Sequence, residues 1–373
     1  MSLGNEFIGD AERLLVDDVL NSKKLFRFSK EYYESYSFMF EKQIKEMFDS
    51  YGVLLFPSAT LALLSFLKTL DLDKKSEVII PPFSWVADYS VLLFENIKIR
   101  FCQIDENLQI NLESIEKLIN NNTKIILIPH MMGRGQQEIG KIHKLCKQEN
   151  IFLIEDIAQS FGVKINDRYA GTFGDFSFTS LNHHKILSTG DGGFGIINNK
   201  EKYKRLCQIH DQGCLIDKNG ERMVIPKDYN KGLSLRVSNL TGAIALVQLA
   251  RFPFVKSCIL ERYYKTIKLL NGIKIIESNE GDIPYTALLK SPPNNNYPSL
   301  LESGWHYVEN IPYFKDINLS RIDKENLRKS KTAVHSTYAI GTGFIDPYFA
   351  IKGGTDINQT IDEKTIKHMV DAK

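Results

Sequence analysis

Short apolar segments alternate with helical stretches over residues 52–154, and this alternation limits the fold more than any other feature of the chain. The apolar segments are continuous, namely Val53–Phe56, Glu77–Ile80, Ile97–Ile104, Lys124–Pro129 and Ile151–Ile154. Helices are predicted near residues 59–70, 85–94, 111–120 and 136–149. Continuously apolar strands separated by helices indicate an α/β fold with a mostly parallel sheet covered on both faces.

Polar side chains collect in the loops that follow three of these strands. The first strand ends in Pro57–Thr60, the second in Pro81–Trp85, and the strand at 151–154 in Glu155–Gln159. In an open α/β sheet, ligands bind beyond the carboxyl ends of the strands. The sequence therefore predicts a ligand site formed by these loops.

A single lysine lies in the stretch from Phe176 to Gly195, which reads F-S-F-T-S-L-N-H-H-K-I-L-S-T-G-D-G-G-F-G. This stretch begins as a strand, presents Lys185 in a polar segment, turns at glycines and continues as a second strand. Burial lowers the pKa of a lysine, so Lys185 in a cavity would suit Schiff-base chemistry. A lone loop lysine is more often a surface residue, so this interpretation depends on the residues that accompany it.

Composition excludes several classes of protein. The 373 residues are 43% hydrophobic and 25% charged, which fits a globular chain of one large and one smaller domain. A formal charge of +2 gives no basic field for nucleic acid or an anionic membrane. Five scattered cysteines without C-x-x-C spacing indicate a reducing compartment and argue against disulfides or a zinc site. With no signal peptide pattern at the N-terminus, a cytoplasmic location is expected.

The uncharged segment Ser50–Leu67 approaches the length of a membrane span. Because it contains Pro57, Ser58 and Thr60, it is interpreted as a strand, a polar turn and a helix, and no membrane association is expected.

Two domains are predicted, with a boundary after residue 254. Residues 1–254 form the large domain, which includes an N-terminal helical segment with helical spacing over Glu31–Phe48. A helix at 239–249 and a second helix at 260–270, beyond Pro253, are expected. Residues 255–373 are assigned to a smaller C-terminal α/β domain.

The polar loops and the lysine together fit one cofactor, pyridoxal 5′-phosphate. This cofactor requires an amine, a carboxylate at its ring nitrogen, an aromatic ring against its face and donors for its phosphate. Lys185, Asp156 and Trp85 could supply the first three, and the helix start at Ser58–Thr60 with Ser180 could supply the donors. Taken singly, each has an ordinary structural explanation, such as a helix cap or a core aromatic.

Several motifs resemble those of the DegT/DnrJ/EryC1/StrS sugar aminotransferases, of the aspartate aminotransferase-like fold type I class. The likeness runs from about residue 50 to 250. E-D-I-A-Q-S-F-G resembles the E-D-x-A-Q signature of that family, and G-D-F-S-F-T-S-L-N-H-H-K-I-L-S-T-G-D-G-G resembles its lysine motif. P-P-F-S-W-V-A and G-L-S-L-R-V-S-N are similar to two further segments of the family.

The resemblance implies roles for individual residues. It makes Lys185 the residue that binds the cofactor covalently and moves the substrate proton, and Asp156 the partner of the ring nitrogen. Gln159 would neighbour the ring hydroxyl, Trp85 would cover the ring and Ser180 would bind the phosphate. Cofactor contacts at Ser58, Ala59 and Thr60 would complete the phosphate site.

The resemblance also implies an activity and partners. The expected reaction is amination of a nucleotide-linked keto sugar, with glutamate as the amino donor, in biosynthesis of surface polysaccharide or another glycoconjugate. In the family, the segment containing Ser234 reaches the cofactor phosphate of a second subunit, so a homodimer is expected. Ser58–Ala59 and Ser234 depart from the family pattern, which has glycine and asparagine there.

Two alternative functions are open. A sugar dehydratase with the same cofactor is one, because a 3-dehydratase branch of the family has histidine in place of the lysine and His183 and His184 adjoin Lys185. A non-catalytic regulatory relative that retains the fold is the other. Lys185 lies five positions before Gly190, the lysine spacing of the family, and this favours transamination.

The sequence from Gly190 to Gly195 satisfies G-x-G-x-x-G, the dinucleotide-binding pattern. That pattern has meaning only where it opens a helix, and here it leads into the apolar residues Ile196 and Ile197. It is therefore interpreted as a turn.

Overall fold

The computed structural model describes residues 5–28, 34–216, 222–223, 231–270, 272–293, 297–304 and 306–341. The α-helices are α1 (Asp10–Ser22), α2 (Tyr36–Met47), α3 (Ala59–Leu67), α4 (Val86–Phe94), α5 (Leu112–Glu116), α6 (Ile139–Glu149), α7 (Lys200–His210), α8 (Asn239–Leu269), α9 (Leu300–Ser303) and α10 (Arg321–His335). Short 3-10 helices cover Asn5–Phe7, Val308–Asn310 and Phe314–Asp316.

The strands are β1 (Gly52–Phe56), β2 (Glu77–Ile80), β3 (Lys98–Phe101), β4 (Thr123–Pro129), β5 (Phe152–Asp156), β6 (Lys164–Ile165), β7 (Arg168–Tyr169), β8 (Phe176–Ser180), β9 (Gly193–Ile197), β10 (Leu215–Ile216), β11 (Arg222–Met223), β12 (Thr286–Leu289) and β13 (Tyr338–Gly341). Each strand predicted between residues 52 and 154 is present. The strand predicted at 97–104 was too long, because the chain leaves the sheet after Phe101 and Ile104 forms only an isolated bridge with Ile110.

A seven-stranded sheet in the order β1-β9-β8-β5-β4-β2-β3 organises the fold. Its β2–β3, β2–β4, β4–β5 and β5–β8 pairs are parallel, and only β9 runs against its two neighbours. The prediction of a mostly parallel sheet is confirmed. As a result, the carboxyl ends of β1, β2, β4, β5 and β8 meet at one edge, where the polar loops were predicted to converge.

Both faces of this sheet are buried, as predicted. Val53 and Leu55 of β1 belong to one apolar cluster with residues of α2, α6 and α8. The alternate residues Leu54 and Phe56 belong to the other cluster, with residues of α3, α4 and α7. Because successive side chains of a strand point to opposite faces, a strand buried on both sides must be apolar throughout.

The predicted break at Pro253 is wrong, because α8 continues through this proline over 31 residues. Proline removes one helical hydrogen bond, but Leu249, Phe252, Val255 and Ile259 form a continuous buried stripe on either side of it. Packing of this stripe stabilises the helix across the proline. The predicted domain boundary after residue 254 therefore falls inside a helix, and the division at 1–254 and 255–373 stays a prediction.

By length and composition α8 is, among the described residues, the one helix apolar enough to cross a membrane. It packs here against α1, α2 and β12, and Arg251 in its middle pairs with Glu12 of α1.

The C-terminal part adds a two-stranded antiparallel sheet of β12 and β13, which packs with the end of α8. Residues 342–373 of the predicted small domain lie outside the described residues, as do residues 1–4 and the start of the helical segment predicted at Glu31–Phe48.

Candidate active site

A cavity of about 230 Å³ lies at the carboxyl edge of the sheet. Its walls come from the start of α3, the loop and first turn of α4, the end of β5 and the end of β8 with the segment that follows. The predicted site residues that line it are Ser58, Ala59, Thr60, Trp85, Asp156, Gln159, Ser180 and Lys185. Ser234 does not line this cavity, because it lies on an exposed loop beside Asp211.

The start of α3 forms one end of the cavity. Ser58 is the N-cap of this helix, and its Oγ accepts a hydrogen bond from the N–H of Leu61 at 3.2 Å. The positive end of the helix dipole and the remaining N–H groups of the first turn suit an anion such as a phosphate. Gly193 of β9 allows the start of α3 to lie close to the sheet, because a Cβ at this position would lie 2.3 Å from the backbone nitrogen of Ala59.

The segment after β8 places Lys185 opposite Trp85. Oγ of Ser180 accepts the N–H of Asn182 at 3.1 Å, and the N–H of Lys185 is donated to the carbonyl of Asn182 at 2.9 Å. The turn closes at Gly190 and Gly192, whose φ values of 87° and 147° favour glycine. Nζ of Lys185 lies 5.8 Å from the centre of the Trp85 ring.

His183 and His184 also line the cavity, next to Lys185. His183 is exposed and His184 half-buried, and their rings lie 3.5 Å apart between centres. The glycines that satisfy G-x-G-x-x-G lead into β9 and not into a helix, so their interpretation as a turn is confirmed.

Asp156 is the last residue of β5 and is 4% exposed. Its Oδ1 accepts the N–H of Ala158 at 2.7 Å. Burial raises its pKa, while the Ala158 N–H, the charge of Lys185 and the neighbouring His130 act in the opposite direction. The cavity also contains the Lys185 cation, and in it the Asp156 carboxylate can bind a protonated ring nitrogen.

Gln159 is fixed by three hydrogen bonds that define the orientation of its amide. Its Oε1 accepts the N–H of Met132 at 3.1 Å and the hydroxyl of Tyr285 at 3.0 Å. Nε2 of Gln159 must then be the donor to Nε2 of His306, 3.0 Å away. His306 accepts as the neutral tautomer, consistent with burial and the Lys185 charge, which lower its pKa to about 3.

A segment distant in sequence brings His306 to this site. The N–H of Ser84 is donated to the carbonyl of His306 at 2.9 Å, and Phe83 forms a bridge with Tyr307. The His306 ring then lies 5.6 Å from that of Trp85. The backbone pairing of these two loops therefore holds the wall that carries Trp85.

Sequence reasoning missed Asp88, Tyr285 and His306. Asp88 lies in the first turn of α4, three residues after Trp85, and lines the cavity while only 2% exposed. Its place in the helical turn that follows Trp85, a predicted site residue, could have indicated that Asp88 faces the same cavity. Tyr285 and His306 had no such signal, since they reach Gln159 from 126 and 147 residues away.

The donor set of the cavity fits pyridoxal phosphate. It offers the amine of Lys185, the buried carboxylate of Asp156, the indole of Trp85 and the fixed amide of Gln159, and the start of α3 and the Ser180 hydroxyl also line it. Each of these groups matches one part of the cofactor: aldehyde, ring nitrogen, ring face, ring hydroxyl and phosphate.

Two curated relatives are each 31% identical to this chain. One is a GDP-perosamine synthase of Escherichia coli O157:H7, matched over 233 residues, 61% of this chain and 61% of that protein. The other is a GDP-4-keto-6-deoxy-D-mannose 3-dehydratase of Escherichia coli O55:H7, matched over 263 residues, 65% of this chain and 66% of that protein. The chain thus spans less than two-thirds of the length of both.

A solved structure shares the fold over nearly the whole chain. It is the E coli GDP-4-keto-6-deoxy-D-mannose-3-dehydratase with bound hydrated PLP, with a TM-score of 0.77 and 20% identity over 99% of this chain and 98% of that one. The predicted fold class, α/β of fold type I, is confirmed.

A family model described as the DegT/DnrJ/EryC1/StrS aminotransferase family matches residues 8–292, more than half of the chain. This is wider than the span from about 50 to 250 over which the motifs were recognised. The family uses pyridoxal phosphate, which is the cofactor that the cavity fits. The chain therefore belongs to the DegT/DnrJ/EryC1/StrS aminotransferase family.

Proposed function

We propose that this protein is a pyridoxal-phosphate-dependent aminotransferase that converts a keto group of a nucleotide-linked sugar to an amine. One observation carries the proposal: Lys185 and Asp156, on segments that follow different strands, line the same cavity together with Trp85. An amine and a carboxylate on two walls of a cavity beside an indole match the reactive parts of the cofactor.

The bound cofactor supplies an electron sink for the carbon that loses a proton. In the proposed roles, Nζ of Lys185 would hold the cofactor and would move the proton at the Cα of the amino-acid donor. Asp156 keeps the ring nitrogen protonated. Trp85 covers one ring face, and Nε2 or Oε1 of Gln159, held by Tyr285 and His306, orients the ring hydroxyl.

The phosphate is assigned to the start of α3 and to Ser180. Oγ of Ser58 is already an acceptor for Leu61, so its hydroxyl hydrogen remains to be donated. The N–H groups of Ala59 and Thr60 lie at the positive end of α3 and face the cavity. Oγ of Ser180 accepts from Asn182 and can likewise donate its hydrogen.

Ser234 is assigned to the cofactor phosphate of a second copy of this chain, in a homodimer. The support is its exposed position outside its own cavity, on a loop where the apolar side chain of Leu233 is 59% exposed. Leu25 and Phe26 are also exposed, at 45% and 49%, and Arg236 lies over the Phe26 ring. An apolar surface of this kind favours association with another chain.

Glutamate is proposed as the amino donor, and surface polysaccharide or another glycoconjugate as the pathway, in the cytoplasm. The nucleotide-sugar substrate is supported by the relatives, since both names contain a GDP-linked sugar.

The test is transfer of nitrogen from labelled glutamate. The loaded protein is incubated with ¹⁵N-glutamate and a panel of GDP-, UDP- and dTDP-linked keto sugars, and the product mass is measured. We expect one sugar to gain labelled nitrogen, and Lys185→Ala to abolish the gain while exposed Lys124→Ala leaves it unchanged. No labelled sugar from any member of the panel, with cofactor bound, would refute the proposal.

A second candidate is dehydration of a nucleotide-linked keto sugar. Two observations favour it: His183 and His184 line the cavity beside Lys185, and one relative is a 3-dehydratase. The same mass measurement separates the two functions. A product that has lost a hydroxyl group and carries no label would support dehydration over transamination.

A further inference from the structure

Asp88 is a buried carboxyl group in the cavity to which neither the motifs nor the family resemblance assigns a role. It lies in the first turn of α4, is 2% exposed and faces the same space as Asp156. Ser84, the residue before Trp85, donates its hydroxyl to Oδ2 of Asp88. The side chain is therefore held in place within the wall that carries Trp85.

The buried carboxyl groups of Asp88 and Asp156 line the same cavity of about 230 Å³, and the charge of Asp156 raises the pKa of Asp88. Ionised carboxyl groups have only acceptors, so a hydrogen bond between the two forms only when one of them carries a proton. Two buried carboxylates in contact would also repel each other strongly. One proton shared between the two residues removes this repulsion.

The surroundings decide which residue carries the proton. Asp156 accepts a backbone N–H from Ala158 at 2.7 Å and faces the Lys185 amine, and both favour its charged form. Asp88 accepts the neutral Ser84 hydroxyl, and burial followed by the Asp156 charge raises its pKa well above the ordinary value, against the opposing charge of Lys185. The other titratable groups facing the pair are Tyr89 and Tyr313 beside Asp88 and His130 beside Asp156, while His306 faces Lys185.

We propose that Asp88 and Asp156 share one proton in the cofactor-free protein, held on Asp88 and donated to Asp156. Asp88 is then a positioning residue: it presents Asp156 to the cavity as an oriented carboxylate with one oxygen already bound. The assignment of Asp156 to the ring nitrogen rests on the proposed function, whereas the shared proton does not.

Infrared spectroscopy of the cofactor-free protein at pH 7.5 tests this directly, because a protonated carboxylic acid and a carboxylate absorb at different frequencies. We expect one carboxylic acid band in the wild type that is lost in Asp88→Asn. Asp282→Asn is the matched control: it removes another buried carboxyl group with a raised pKa and must leave that band in place. A wild-type band that persists in Asp88→Asn overturns the proposal.

Ser84→Ala keeps the test decisive should Asp88→Asn fail to fold. Loss of the Ser84 hydroxyl removes one hydrogen bond from the acid, so the band must shift in frequency and stay present. An unshifted band would overturn the proposal.

Thermal unfolding of the cofactor-free protein gives a second readout. A carboxyl group whose pKa is raised in the folded state stabilises it at low pH, and this contribution is lost as pH rises from about 4 toward the folded pKa. The melting temperature of Asp88→Asn minus that of the wild type should therefore increase as pH rises from 4 to 8. A difference independent of pH contradicts the shared proton, whereas absence of transaminase activity would affect the proposed function alone.

Discussion

Glu155 and Asp156 are adjacent acidic residues at the end of β5, both buried, and their environments are opposite. Glu155 is 0% exposed and accepts hydrogen bonds from the N–H groups of Gly171 at 2.8 Å and Gly174 at 2.6 Å. It also accepts Nε2–H of His130 at 3.0 Å, because Nδ1 of His130 accepts the N–H of Gln136. Asp156 receives one backbone N–H, from Ala158, and its carboxyl group faces the cavity together with that of Asp88.

The alternation of side chains along a strand produces this difference, since neighbours in β5 point to opposite sides. A buried carboxylate costs free energy unless hydrogen bonds satisfy it. The protein satisfies Glu155 completely with its own groups, whereas part of Asp156 is left to a bound molecule. We therefore expect Glu155 to stabilise the fold and Asp156 to serve the reaction.

Asp156→Asn should give the largest effect. The amide keeps the shape of the side chain but removes the charge that we propose keeps the ring nitrogen protonated, so kcat/KM for the proposed amino transfer should fall about 10²–10³-fold. The free energy of unfolding of the cofactor-free protein should stay the same or increase. An activity within threefold of wild type would contradict the difference drawn between the two acidic residues.

Glu155→Gln should have the opposite profile. The new amide NH₂ would face donors from Gly171, Gly174 or His130, leaving buried polar groups unpaired, so the free energy of unfolding should fall by about 3 kcal/mol. Urea unfolding of the cofactor-free protein measures this. Activity per folded molecule should change little, and exposed Glu113→Gln, which alters only a pair with Lys117, is the matched control.

His306→Gln tests whether the buried hydrogen bonds next to Trp85 stabilise the fold, as those of Glu155 are expected to do. The folded pKa of His306, about 3, lies below its ordinary value of 6.5, so the unfolded state gains a proton first as pH falls. Stability should therefore decrease from pH 6.5 down to about 3, by about 1.4 kcal/mol per pH unit from this histidine. Buried His210, with a pKa of about 3, contributes a similar slope.

Glutamine at 306 can still accept the Gln159 amide but does not titrate. Between pH 4 and 6, the unfolding free energy should therefore change less steeply with pH in the variant. The difference in slope corresponds to about one proton, or about 1.4 kcal/mol per pH unit. Equal slopes in variant and wild type would place His306 in a more hydrated environment than its burial indicates.

The part of the site built on the parallel sheet was predictable, because strand ends that follow apolar segments must meet at one edge. On that basis and on the motifs, Lys185, Asp156, Trp85 and the start of α3 were expected to share a site, and they line one cavity. Tyr285 and His306 were not, since their contacts depend on how residues 285–308 return to the sheet, and no local pattern records that path. Pro253 misled for a related reason, because burial of α8 outweighs the local preference.

Ser58 both stabilises the fold and faces the cavity, and two substitutions separate these roles. Its Oγ caps α3 through Leu61, and its side chain also lines the cavity. Loss of the cap in Ser58→Ala should lower the free energy of unfolding by about 1 kcal/mol, whereas Ser58→Gly should cost only about 0.3 kcal/mol. Both variants lose the hydroxyl donor, so both should weaken cofactor binding by a similar factor, roughly five- to tenfold. If cofactor affinity instead follows stability, with Gly near wild type and Ala weak, the hydroxyl acts through the helix cap and not on the phosphate.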